Sequence, residues 1–196
     1  MFNYQPIVKH PTMRIISIIL ILGFLTATSA NAQKYITKTG HIKFYSDAPM
    51  EKIEAHNRQV NSALDFETGG FVFKVLMKSF EFEKALMQEH FNENYVESDK
   101  YPTATFVGHV SNINEIKIDK DGKYEANVEG TLTMHGVKKE IKEKGTFEVM
   151  QGKLTGKAKF NLTIGDFKIT IPGNVGNKIS KTIEVTVDIL LEKAKM

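Results

Sequence analysis

Apolar and polar residues alternate through most of the chain from Val60 onward. Val60, Ser62, Leu64 and Phe66 fall on one side of an extended backbone, with Asn61, Ala63 and Asp65 on the other. Thr68-Gly69-Gly70 reads as a turn. Phe71, Phe73, Val75 and Met77 follow, opposed by Lys74 and Lys78. Ala104, Phe106, Gly108 and Val110 continue the pattern, and Asp121-Gly122 has the composition of a hairpin turn. Tyr124, Ala126, Val128, Gly130, Leu132 and Met134 then alternate with Glu125, Asn127, Glu129, Thr131 and Thr133. Leu154, Gly156, Ala158, Phe160, Leu162 and Ile164 form another such set, and Ile183, Val185, Val187, Ile189 and Leu191 a last one. Weaker strands fit Ile42–Ser46 and Ile141–Val149. A two-residue period is that of a β-strand with one buried face. Lys84–Asn92 departs from it: Leu86, Met87, His90 and Phe91 recur at helical spacing, so one short helix is expected there.

About eight strands, each with one apolar face, must bury that face in a sandwich or a closed barrel. Several run about eleven residues, roughly 36 Å at 3.3 Å per residue. Long meandering strands joined by tight turns favour an eight-stranded antiparallel β-barrel in a mainly β fold. The outward positions Lys74, Lys78, Glu125, Asn127, Lys157 and Lys159 are polar and offer no seat for an apolar helix. The helix is therefore expected to cap one open end, with Leu86, Met87 and Phe91 as its apolar stripe and Phe91 and Tyr95 toward the mouth. A barrel of this size is either filled by side chains or holds one small ligand. The inward set mixes Phe71, Phe73, Phe106, Tyr124, Met134 and Phe160 with Ala104, Gly108, Ala126, Gly130, Gly156 and Ala158. Small residues there either leave room for a ligand or let the strands coil, and pattern alone leaves both readings open.

The N-terminal stretch has a different character. Ile15–Leu25 is an apolar run preceded by Lys9 and Arg14 and followed by Ala30-Asn31-Ala32 before Gln33. This is the layout of a secretory signal peptide, too short to span a bilayer comfortably. Residues 1–32 are thus expected to be a signal peptide cleaved after Ala32, and 33–196 a single exported domain, periplasmic or secreted. The formal net charge of +3 comes from 26 Lys+Arg against 23 Asp+Glu. Two of those basic residues and no acidic ones lie in the first 32, so the remainder is nearly neutral. That balance argues against nucleic-acid binding by bulk charge. The absence of cysteine excludes disulfides, thiolate metal sites, Cys nucleophiles and a lipidated N-terminal Cys.

Catalytic and cofactor motifs fail on inspection. His41, His56, His90, His109 and His135 show neither H-x-H nor H-E-x-x-H spacing. Gly152–Ala158 has one residue too few for a phosphate loop and no Ser/Thr after Lys157. No G-x-S-x-G elbow occurs, and Asp166 and Glu184 stand in strand-like contexts without an identifiable paired partner. His135-Gly136 reads as a hairpin in which Gly136 supplies a positive φ and His135, continuing the outward set of Thr131 and Thr133, a stabilising donor. Pro102 suits the first residues of a strand.

Two segments go further. One runs His90-Phe91-Asn92-Glu93-Asn94-Tyr95 and on through Tyr101-Pro102-Thr103-Ala104-Thr105-Phe106; the other is Gly130-Thr131-Leu132-Thr133-Met134-His135-Gly136-Val137-Lys138-Lys139. They resemble the YceI family of bacterial secreted polyisoprenoid- or lipid-binding proteins, over about Gly40 to Leu191. The chain departs from the family pattern at Gly40–Phe44, where many members carry Asp-x-x-His-Ser, and at Phe82–Ala85, where many carry Arg-Asp. The resemblance implies a lipocalin-like barrel, an apolar lipid of the isoprenoid class inside it, and neither catalysis nor a cofactor or metal. It tips the interior toward a cavity. The candidate lining is then Phe71, Phe73, Val75, Met77, Phe91, Tyr95, Phe106, Tyr124, Ala126, Val128, Met134, Ala158 and Phe160. The expected partner is that lipid, with no nucleic acid and no membrane-spanning segment in the mature protein; the oligomeric state, a homodimer included, stays open. An enzyme acting on such a lipid and a filled-core interaction module are the competing readings.

Overall fold

The computed structural model describes residues 33–194, so the expected signal segment 1–32 lies outside the described residues. The strands are β1 (Lys34–Asp47), β2 (Lys52–Asp65), β3 (Gly70–Leu76), a two-residue β4 (Glu81–Phe82), β5 (Thr103–Val110), β6 (Gly122–Met134), β7 (Val137–Met150), β8 (Lys153–Thr163) and β9 (Thr182–Lys193). One helix, α1 (Ala85–His90), continues as a wider turn over Phe91–Tyr95. All pairings are antiparallel, in the order β1-β9-β8-β7-β6-β5-β3-β2, and β1 also pairs with β2. The sheet therefore closes into an eight-stranded barrel, with β4 added to the edge of β2 near Ala55.

Two hairpins are set by residues in the left-handed region. His135 (φ 51°) and Gly136 (φ 73°) join β6 to β7, and Gln151 (φ 51°) and Gly152 (φ 75°) join β7 to β8. Positive φ at both central positions matches the right-handed twist of the flanking strands. Asp121-Gly122 is not a hairpin. Residues 111–121 connect β5 to β6 through a short helical turn at Ile113–Glu115, and Gly122 opens β6. Asp121 instead accepts a hydrogen bond from the Gln151 amide, bracing the neighbouring turn.

β1 and β2 are longer than the alternation reveals. Their register shifts between Thr37 and Ile42, and the buried positions of β1 jump from Thr37 to Gly40. A bulge of this kind inserts residues without a partner and breaks the period, so only Ile42–Ser46 stands out in the sequence.

The two ends of the barrel differ. At the end holding the start of β1 and the end of β9, Val60, Leu64, Leu154 and Leu191 are fully buried and pack with Tyr35, Val110, Ile113, Ile116 and Val149. Each such aliphatic side chain contributes about 1.5–3 kcal/mol by leaving water, and together they fill this half. Toward the other end Val128, Leu132, Met134, Ile141, Leu162 and Ile183 face the interior yet are only partly buried. No helix among the described residues is long and apolar enough to cross a membrane.

Candidate functional site

The unfilled half of the barrel is a cavity of about 530 Å³, within the usual size range of small-molecule pockets. Phe71, Phe106, Phe147 and Ile189 form its floor. The glycines near the floor do not create the space. A Cβ on Gly108 would lie 2.6 Å from Phe106 Cζ, and one on Gly156 would lie 2.8 Å from Phe147 Cε1. At Gly156 an aromatic ring occupies the volume that a side chain would have taken; at Gly108 the β6 backbone at Glu129 and Gly130 closes it together with the Phe106 ring. Room appears one row higher, where cross-strand neighbours run Ala126, Gly145, Ala158, Val187 and Ile42 on β6, β7, β8, β9 and β1. Ala126 and Ala158 widen one wall there, while Gly145 lets β7 and β8 approach, since a Cβ on it would lie 2.8 Å from the Lys157 carbonyl oxygen.

Phe73, Val75, Met77, Val128, Met134 and Phe160 line the walls above the floor. Phe91 and Tyr95 reach the cavity from the end of α1. Phe91 belongs to an aromatic cluster with Phe44, Phe80 and Phe82, its ring centroid 5.5, 5.6 and 5.0 Å from theirs. Twelve of the thirteen candidate residues thus meet on one cavity. Tyr124 does not. It lies at the start of β6, at the filled end, and its hydroxyl donates to the Lys120 carbonyl at 2.9 Å. Strand alternation gives the face of a residue but not its height in the barrel, so Tyr124 shared the inward set without sharing the cavity. The helix stripe is also not continuous: Leu86 borders the cavity mouth but is 61% exposed, and Met87 is half-buried.

The His-Gly and Tyr-Pro segments meet at this end. His135 is not turned outward with Thr131 and Thr133; its side chain is 11% exposed. Nδ1 lies 2.9 Å from the Phe167 carbonyl and Nε2 2.8 Å from Glu97 Oε2, while Tyr101 packs edge-on at 4.6 Å between centroids. A Cβ on Gly136 would collide with Tyr101 at 2.8 Å. One side chain therefore ties the β6–β7 hairpin to the segment before β5 and to the turn at Ile164–Phe167.

Asp166 and Glu184 are paired with Lys139 (3.4 Å) and Lys159 (2.8 Å), not with second acids. His41 Nε2 lies 3.0 Å from His56 Nδ1, and His56 Nε2 2.8 Å from Glu54. Desolvation and the neighbouring Arg58 and His56 lower the pKa of His41. Nowhere among the described residues do three or more potential metal ligands converge.

Glu143 escapes the reading of the sequence. It stands on the inward face of β7 between Ile141 and Gly145 and lines the cavity. Burial raises its pKa above the usual carboxylate range. Extending the alternation of Ile141, Phe147 and Val149 would have found it, but Ile141 stands alone among the six charged residues of Lys138–Lys144.

A closed eight-stranded barrel, filled at one end and hollow and apolar at the other beneath a helical cover, defines a small-ligand-binding barrel. The chain belongs to the YceI family: a YceI-like domain matches residues 28–191. Solved structures of similar fold include a polyisoprenoid-binding domain from Saccharophagus degradans, at 13% identity over 83% of this chain and 99% of that one, with a TM-score of 0.73. BcnA of Burkholderia cenocepacia is 14% identical over 79% of this chain and 96% of its own, with a TM-score of 0.65. The YceI protein of Campylobacter jejuni is 18% identical over 72% and 85%, with a TM-score of 0.52. A comparison with curated proteins finds no match. At these identities the structures establish the fold.

Proposed function

We propose that the mature chain binds an apolar lipid of the isoprenoid class, a polyprenoid or an isoprenoid quinone, inside the barrel. In this reading it is a periplasmic carrier or sequestering protein and not an enzyme. The observation that carries the proposal is the apolar cavity of about 530 Å³ above a fully packed floor. The polyisoprenoid-binding domain from Saccharophagus degradans, similar in fold, supports the ligand class.

Binding is by partitioning. Each methylene removed from water contributes about 0.8 kcal/mol, so a ten-carbon stretch offers on the order of 8 kcal/mol. Ordering costs reduce that sum, which leaves affinity near micromolar unless the head group adds contacts. The signal layout of residues 1–32 supports export, and N-terminal sequencing of exported protein is expected to begin at Gln33. Retention of Ile15–Leu25 in the mature species would overturn the localisation.

Native mass spectrometry of protein purified from its own cells tests the function. A bound lipid mass is the expected result. A clean apo mass favours a filled-core module, and turnover of the lipid favours an enzyme.

A further inference from the structure

The barrel wall is not hydrogen-bonded all the way up. The β7–β8 ladder runs from Met150↔Lys153 to Gly145↔Ala158 and stops there. Above it, residues 137–144 of β7 pair only with β6, and residues 159–163 of β8 only with β9. The two strands part like a fork above the row of small residues. At the top the gap is spanned by the Lys139–Asp166 ion pair and by the His135 contact to the Phe167 carbonyl.

Glu143 occupies the first inward position beyond the fork. Across β6 it faces Val128, and on the far lip of the gap the next inward side chain is Phe160. Its carboxyl has no hydrogen-bond or ion-pair partner among the described residues, and desolvation is the cause of its shifted acidity, with no stabilising neighbour. A carboxyl at the edge of an apolar cavity without a partner is unfavourable, and a ligand that supplied one would relieve it.

We propose that Glu143 holds the polar end of the ligand at a lateral opening between β7 and β8, and that this end is an uncharged hydrogen-bonding group, a hydroxyl or a carbonyl. The proposal rests on the lipid-binding reading above and adds the head-group chemistry and its position. A protonated carboxyl donates to a carbonyl; an ionised one accepts from a hydroxyl. A phosphate or carboxylate head finds no built cation facing inward beside it. Lys139 is engaged by Asp166 and Lys157 by Asp188 at 3.6 Å; Lys144 borders the cavity through its backbone position, but it is exposed and follows the outward register of β7. The apolar chain would lie on Phe160 and run toward the floor.

The test compares geranylgeraniol, geranylgeranyl phosphate and squalene as probes, by displacement of a fluorescent lipid from the delipidated mature protein. The wild type is expected to bind the alcohol more tightly than the phosphate. Glu143→Gln keeps a hydrogen-bonding side chain and is expected to retain alcohol affinity. Glu143→Leu is expected to weaken the alcohol by up to about tenfold, the worth of one hydrogen bond, and to leave squalene unchanged. Thermal melting of both variants at or above the wild-type temperature shows that the loss is not unfolding. An equal loss for alcohol and squalene, an unchanged alcohol affinity in Glu143→Leu, or a phosphate bound more tightly than the alcohol overturns the role of Glu143 while lipid binding stands. Binding of none of the three probes overturns both.

Discussion

At the scale of single residues, Glu143 is the position where stability and ligand chemistry oppose each other. Burial alone raises its pKa in the folded state. The folded protein then holds this proton more tightly than the unfolded chain does. The associated stability is fully present below the ordinary glutamate value of about 4.3 and is lost as pH rises through the folded value. Glu143→Gln has no such titration. It is expected to melt above the wild type at pH 8, with the difference closing as pH falls toward about 4. Glu54 and Glu129 run the other way, since Lys43 and Lys142 lower their pKa values, but they are common to both proteins and drop out of the comparison. Melting curves of the pair across pH check this, and a difference independent of pH contradicts it. The residue was hidden in the sequence for a physical reason. Strand periodicity is recognised through apolar side chains, and Lys139 and Glu143 occupy inward positions where apolar residues mark the other strands.

At the scale of elements, the cover over the hollow end was the least legible part. The spacing predicts a helix over Lys84–Asn92 with Leu86, Met87 and Phe91 as its apolar stripe; α1 spans Ala85–His90 and runs on as the wider turn Phe91–Tyr95, all three side chains border the cavity, and Phe91 alone sits in an aromatic cluster. The phenylalanines that meet it, Phe44, Phe80 and Phe82, come from β1, from the bend after Met77–Ser79 and from β4. Their convergence depends on how these segments fold back, which no local period encodes. A helix with no fully buried side chain has few contacts to lose, so opening it is inexpensive compared with opening the barrel. Phe91→Ala is therefore expected to speed lipid release, with a stability loss smaller than the roughly 3–5 kcal/mol of a fully buried phenylalanine. Stopped-flow release and thermal melting measured together decide it. A large stability loss with an unchanged off-rate would make the segment a structural plug.

At the scale of the whole molecule, the barrel divides at the row Ala126, Gly145 and Ala158, and the halves carry different duties. The strand count, the antiparallel meander and the inward face of most candidate positions were legible because alternation runs clean outside β7 and the irregular stretch shared by β1 and β2. The division was not, because alternation is silent about height, as Tyr124 illustrates. It has a measurable consequence. Leu154 is fully buried in the filled half, so Leu154→Ala removes buried volume that the closed sheet cannot collapse to refill. It is expected to cost about 2–5 kcal/mol and to leave lipid affinity nearly unchanged in the protein that remains folded. Ala126 is as well covered, at 2% exposure, but it borders the cavity. Ala126→Phe has open space ahead of it, so the ring is expected to enter the cavity, displace the lipid and shift the melting temperature little. If the interior were solid at this height, the same substitution would cost roughly 1–3 kcal/mol by overpacking and leave binding alone. Measuring melting temperature and lipid affinity for both variants gives opposite pairs of outcomes for a two-storey barrel. Parallel losses in the two variants would show that floor and cavity are one cooperative packing unit.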